Sequence, residues 1–106
     1  MGKDQTIRVI RKFVKALKQE GIPVDRVILY GSYAKGKTRP DSDIDVAVVS
    51  KHFGRDRVEE GMNLFRIAGK IDQRIEPIPI STESYQNDTW IPLIYEIKEK
   101  GIEVEL

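Results

Sequence analysis

Residues 43–49, DIDVAVV, constrain the fold of this chain more than any other stretch. Polar and apolar residues alternate from Asp43 to Val46, and a period of two belongs to a strand, not a helix. Ile44, Val46 and Val48 then point into a core, while Asp43 and Asp45 share the other face. Pro40, just upstream, disfavours helical backbone at Arg39. The preceding run VDRVILYG, residues 24–31, is rich in β-branched side chains and ends at Gly31, so it reads as another strand.

The segment joining these strands, GSYAKGKTRPDS, supports two phosphate-handling readings. Gly31 to Thr38 satisfy the P-loop pattern G-x-x-x-x-G-K-(S/T). A P-loop requires a helix directly after its Lys-Ser/Thr, so that backbone N–H groups and the helix dipole face the phosphates. Here Arg39-Pro40-Asp41-Ser42 and a strand follow instead, and a P-loop domain needs more βα units than 106 residues can hold. The second reading fits its surroundings. Two carboxylates at i and i+2 on a strand can share one or two divalent cations, and hard oxygen ligands suit Mg²⁺. Gly31 lets the backbone turn sharply toward a phosphate. Ser32 can cap a short helical turn and offer its hydroxyl and nearby N–H groups. The competing structural reading, a surface turn that merely initiates a strand, explains neither the Gly-Ser pair nor its spacing from Asp43-x-Asp45. Lys35, Lys37 and Arg39 lie in the loop between the two halves, where solvation competes with phosphate contact.

The remaining elements follow from periodicity. Ile7, Ile10, Phe13, Val14 and Leu17 recur at helical spacing, with Asp4 as the expected cap and Gly21 as the stop. Arg8, Arg11, Lys12, Lys15 and Lys18 form the solvated opposite face. A helix is expected from Arg57 to Ile71, with Val58, Met62, Phe65, Leu64, Ala68 and Ile71 on its apolar side. RIEPIPI, residues 74–80, is extended; its prolines cannot donate to a ladder, which places it at or near a sheet edge or in an irregular strand. The last helix is expected to begin near Thr89, to tolerate Pro92 in its first turn, to bury Trp90, Leu93, Ile94 and Ile97, and to stop at Gly101. IEVEL closes the chain as a short strand. The order is α-β-β-α-β-α-β, an α+β class.

Composition limits function. At 40% apolar and 33% charged the chain falls in the ordinary globular class. A net charge of +1 gives no global attraction to nucleic acid, so bulk nucleic-acid binding is not expected. With no cysteine there is no disulfide, thiolate zinc site or cysteine nucleophile. Apolar runs far short of a membrane span, and no leader pattern, make a cytoplasmic protein the expectation. The loose myristoylation pattern at Met1-Gly2 and the sequon at Asn87 are chance-level matches.

Gly31-Ser32, ten intervening residues and then Asp43-x-Asp45 resemble the signature of the DNA polymerase beta-type nucleotidyltransferase superfamily. The length resembles that of its minimal branch, and the likeness runs from Val27 through Glu76. It implies a palm-like mixed sheet with helices packed on it, one minimal domain over residues 1–106, and transfer of a nucleoside monophosphate from Mg-NTP, with ATP as the expected donor. By the same resemblance Gly31 and Ser32 hold the triphosphate, and Asp43 and Asp45 bind the metal, expected as two Mg²⁺ ions. The family places a third carboxylate on a later strand, usually Asp; Glu76 is the candidate here and Asp72 the alternative. Glu76 also reads as a solvated edge-strand carboxylate; as a functional one it completes a metal's ligand set or takes the proton of the attacking hydroxyl.

After Glu76 only about thirty residues remain, room for one helix and a short strand. The acceptor surface is therefore expected from another chain or from a second copy. This situation resembles the antitoxins paired with HEPN-type toxins, whose nucleotidyltransferase partner adenylylates a toxin tyrosine or neutralises it by binding. Two other functions stay open: a small-molecule nucleotidyltransferase of the aminoglycoside-modifying kind, and a binding module without chemistry.

Overall fold

The computed structural model describes residues 3–32 and 43–106. Helix α1, Lys3–Gln19, buries Ile10, Phe13, Val14 and Leu17 and leaves Arg8, Arg11, Lys12, Lys15 and Lys18 exposed. Its stop is at Gly21, whose φ of +82° is left-handed. There Gly21 N–H donates to Lys18 O at 3.0 Å and Ile22 N–H to Leu17 O at 3.1 Å, which satisfies carbonyls that the helix itself leaves open. Asp4 is not the cap. The helix already includes Lys3, so Asp4 lies in the first turn and meets the positive end of the helix dipole instead.

Four strands form one mixed sheet in the order β3-β2-β1-β4. Strand β1, Arg26–Leu29, pairs antiparallel with β2, Ile44–Ser50, in the register Leu29↔Val46. Strand β3, Ile75–Ser81, runs parallel to β2 and is an edge, as its prolines require. Strand β4, Ile102–Glu103, pairs antiparallel with β1. The sheet is covered on both faces. Val27, Leu29, Ile44, Val46, Val48 and Ile75 pack with the helices on one face, while Ile28, Ala47, Val49 and Ile80 pack with Ile94 and Ile97 on the other. Two-sided cover explains why Ala47 and Val49, which share the face of Asp45, are as buried as the residues between them.

Helix α2, Arg57–Gly69, forms the crossover between the parallel strands. Asp56 caps it by accepting from Glu59 N–H at 3.1 Å. Only part of the anticipated apolar side is used. Leu64, Ile67 and Ala68 are buried, whereas Val58, Met62 and Phe65 are 73%, 68% and 52% exposed. With 3.6 residues per turn the two stripes fall on well-separated sides of the helix, and the sheet covers one of them.

A short helix, α3 (Thr82–Asn87), follows β3 directly and was not anticipated; Ser81 Oγ caps it by accepting from Ser84 N–H at 3.1 Å. The last helix, α4, spans Pro92–Lys100, so it starts three residues later than expected. Pro92 disfavours helical backbone at Ile91, which is extended at φ −77°, ψ 120°. Trp90 consequently precedes the helix and is 78% exposed, and Leu93 is 39% exposed; Ile94 and Ile97 alone carry the buried face. Among the described residues no helix is long and apolar enough to cross a membrane.

Gly101 follows α4 in extended backbone, packed where a side chain does not fit. Its φ of −72° suits any residue, but a Cβ there would collide with Ile97 O and Ile28 Cγ2 and lie 3.2 Å from Leu29 O. Gly101→Ala is expected to cost about 2 kcal/mol, a fall of roughly 10 °C in Tm, readable by calorimetry. An unchanged Tm would mean that α4 can slide away from β1 at no cost.

Candidate active site

Local geometry draws the acidic side chains together at one end of the sheet. Tyr30 N–H donates to Asp45 O at 3.1 Å, and Ile44 N–H donates to Arg74 O at 2.7 Å, fixing β1, β2 and β3 at the point where β2 begins. In this register Asp45 stands directly opposite Glu76 on the neighbouring parallel strand. Asp43 lies just before β2, exposed, two residues from Asp45. Alternation gives Tyr30, Asp45 and Glu76 the same face, the one that α4 covers further along.

Gly31 closes the arrangement. Its φ is +67°, and its Cα faces the Asp45 carboxylate so closely that a Cβ would collide with Oδ2 and lie 3.3 Å from Cγ. The turn at Gly31 and Ser32 thus sits against Asp45. The helical turn expected after Ser32, and Lys35, Lys37 and Arg39, lie outside the described residues.

The carboxylates press on one another. Burial pushes the Asp45 carboxyl above its ordinary range, and the charge of Asp43 adds to it, opposed by a hydrogen bond with Glu76. Glu76 is also raised, first by desolvation, then by the charges of Asp43 and Asp45, with both of which it shares hydrogen bonds. Tyr30, pushed up to about 12 by burial and then by Asp45, Glu76 and Glu96, forms a wall of the same site. Sequence reasoning missed Tyr30. Its signal was its place two residues after Ile28, on the face of Asp45.

Asp72 is engaged elsewhere. It accepts from Arg74 N–H at 2.9 Å, Nε at 3.0 Å and NH2 at 2.6 Å, and the hydrogen bonds from Arg74 hold its carboxyl below the ordinary range. The structure therefore brings Glu76, and not Asp72, up to Asp45.

A set of hard oxygen donors whose neighbours raise one another's pKa suits a divalent cation, which would relieve that repulsion. Among the described residues no group of three or more His, Asp or Glu side chains is arranged so that it could hold a metal ion by itself. Mg²⁺ is commonly bound by one or two carboxylates, with substrate phosphates and water completing its shell.

A mixed sheet with an acidic pair opening its central strand, beside a Gly-Ser turn, defines a nucleotidyltransferase-type architecture. The chain belongs to the nucleotidyltransferase domain family, whose model matches residues 10–105. A protein of Methanocaldococcus jannaschii, provisionally named a protein adenylyltransferase, is 32% identical over 104 residues, covering 94% of this chain and 99% of the relative. The protein is thus an enzyme of nucleotidyltransferase type, and the P-loop reading of Gly31–Thr38 falls. Solved structures share the fold. One from Sulfolobus solfataricus, provisionally named a nucleotidyltransferase, superimposes with a TM-score of 0.65 at 16% identity, covering 93% of this chain and 78% of its own. A toxin–antitoxin structure with AMP-PNP gives 0.59 at 22% identity, covering 90% of this chain and 71% of that one. A mutant of the toxin–antitoxin MntA–HpeT gives 0.54 at 20% identity over the same shares, 90% and 71%.

Proposed function

We propose that this protein transfers AMP from Mg-ATP to a hydroxyl of a partner protein, a tyrosine of a HEPN-type toxin, and so acts as an antitoxin. The observation that carries the reading is the register of Asp45 against Glu76, with Asp43 alongside and the Gly31 turn packed on Asp45. The provisional name of the archaeal relative supports protein adenylylation, and the toxin–antitoxin neighbours support the partner. The relative is matched over 99% of its length, which supports residues 1–106 as one minimal domain.

In this reading Gly31 and Ser32 receive the triphosphate, and Asp43, Asp45 and Glu76 hold two Mg²⁺ ions. Bound there, the ions supply charge neutralisation at the transferring phosphoryl group. Glu76, on the edge strand, accepts the proton of the attacking hydroxyl. Tyr30 limits water at the buried side of Asp45.

Two measurements test this. Label from α-labelled ATP should appear on a co-expressed HEPN-type protein and be lost when its acceptor tyrosine is replaced by Phe. Rapid labelling of an aminoglycoside by the isolated chain would instead establish the small-molecule reaction. Mg-ATP at a hundredfold over its Kd should also stabilise the fold by about 2.7 kcal/mol. An equal gain in Tm with ATP in excess EDTA would remove the carboxylates from nucleotide binding.

A further inference from the structure

A cavity of about 390 Å³ opens beside the β3 edge, reached from Gly54, Arg57 and Pro79 on one side and from the sheet face that carries Asp45 and Glu76 on the other. Ile78 and Ile80 of β3 form its floor, and Ser84, Ile91, Leu93 and Ile94 its wall. Ile78 stands two residues beyond Glu76 on the same face, so the floor begins about 7 Å along the strand from that carboxylate. The size is that of a ligand site and exceeds a packing defect.

The geometry of phosphoryl transfer selects the occupant. Attacking and leaving oxygens lie roughly in line across the reacting phosphorus. Gly31 and Ser32 follow β1, Asp45 belongs to β2 and Glu76 to β3, and the sheet order places β2 between the other two. Pyrophosphate held at Gly31–Ser32 therefore departs on the β1 side, and the acceptor hydroxyl arrives over β3. The cavity lies on that side.

The manner of docking follows from the edge. Ile44 N–H bonds Arg74 O at 2.7 Å, so the even-numbered residues of β3 direct their backbone groups to β2. Pro77 and Pro79 thus face the free edge, without an N–H to offer an added strand. Side-chain insertion is the remaining mode. Glu83 and Asp88 outnumber Arg57 around the cavity, and the catalytic carboxylates lie beyond Ile78, so the approach is acidic.

We propose that this cavity anchors the acceptor: it takes one bulky apolar side chain of the partner protein, flanked by basic residues, and thereby sets which hydroxyl is adenylylated. The inference rests on the function proposed above. The anchored hydroxyl oxygen forms a bond to the α-phosphorus, the bond from that phosphorus to the bridging oxygen breaks, pyrophosphate leaves, and the hydroxyl proton passes to Glu76.

The test uses N-acetyl-phenylalanyl-arginine amide as probe, with ¹⁵N-labelled protein followed by NMR. Amides of Ile78, Ile80 and Ile94 should shift, and the glutamate analogue of the probe should bind at least threefold more weakly at low salt. Leu93→Asp, at a position 39% exposed, should weaken the probe at least tenfold, while Leu93→Met retains it. Mg-ATP should shift Gly31 and Asp45 equally in the parent and in Leu93→Asp. If Mg-ATP binds and the probe shifts nothing at β3, or binds Leu93→Asp unchanged, the anchor is overturned and the proposed reaction survives. If Mg-ATP fails to bind the parent chain, the proposed reaction falls and the anchor falls with it.

Discussion

Asp45→Asn should lose about a thousandfold in transfer rate while the chain stays folded and becomes more stable. The loss corresponds to about 4 kcal/mol of transition-state stabilisation when a ligand to the neutralising cations is removed. Asp43→Asn should behave likewise in rate. The gain in stability has a separate cause. Burial and the Asp43 charge raise the Asp45 carboxyl, so without cation the folded state holds its proton more tightly than the unfolded chain does. Stability then falls as pH rises from the unfolded carboxylate range through the raised folded value, and at neutral pH the ionised group is a cost. Asp45→Asn should therefore raise Tm in EDTA at pH 7.5, and the advantage should fade near pH 4. Lys37→Ala, in contrast, should cost tenfold or less, because in the nucleotidyltransferase reading a loop lysine adds no more than a screened point charge. Transfer rates of these variants and calorimetry at the two pH values decide the matter. An inactive Lys37→Ala beside an active Asp45→Asn would overturn the assignment.

Gly31→Ala should be nearly as damaging, through position and not through charge. At φ +67° an alanine is strained by about 1 kcal/mol, and its Cβ would collide with Asp45 Oδ2. Either the turn lifts away or the carboxylate rotates, and a displacement of about 1 Å in a catalytic group can cost a hundredfold. The expected outcome is transfer reduced at least a hundredfold, with Mg²⁺-dependent ATP binding weakened and circular dichroism unchanged. Ser32→Ala carries no such collision and should lose about tenfold, one phosphate hydrogen bond. Equal losses for the two variants would show that the hydroxyl, and not the absence of a side chain at Gly31, governs the site.

Much of this was legible in the residues because local physics fixed it. The period of two in DIDVAVV determined β2 and put Asp43 and Asp45 at its start. The prolines of IEPIPI assigned β3 to an edge, since neither can donate to a ladder. Gly21 ended α1 through a left-handed turn that side-chained residues avoid. Where the sequence offered two equally good local answers, only the tertiary structure chose. Val58, Met62 and Phe65 are as apolar as Leu64, Ile67 and Ala68, but one sheet covers one side of a helix. Trp90 fitted the periodicity of α4 until Pro92 set the start of the helix. The candidate third carboxylate shows what pairing adds to a preference read from sequence. Asp72 and Glu76 lie four residues apart with the same chemistry, and the sequence favoured Glu76 only because RIEPIPI reads as a strand, with Asp72 kept as the alternative. Strand register supplied the contact that the sequence could not, setting Glu76 opposite Asp45, while Arg74, adjacent in the turn, engaged Asp72. Periodicity acts within one element, so the sequence alone determined β2 and its acidic start; pairing acts between elements, so the company that Asp45 keeps was decided by the folded sheet.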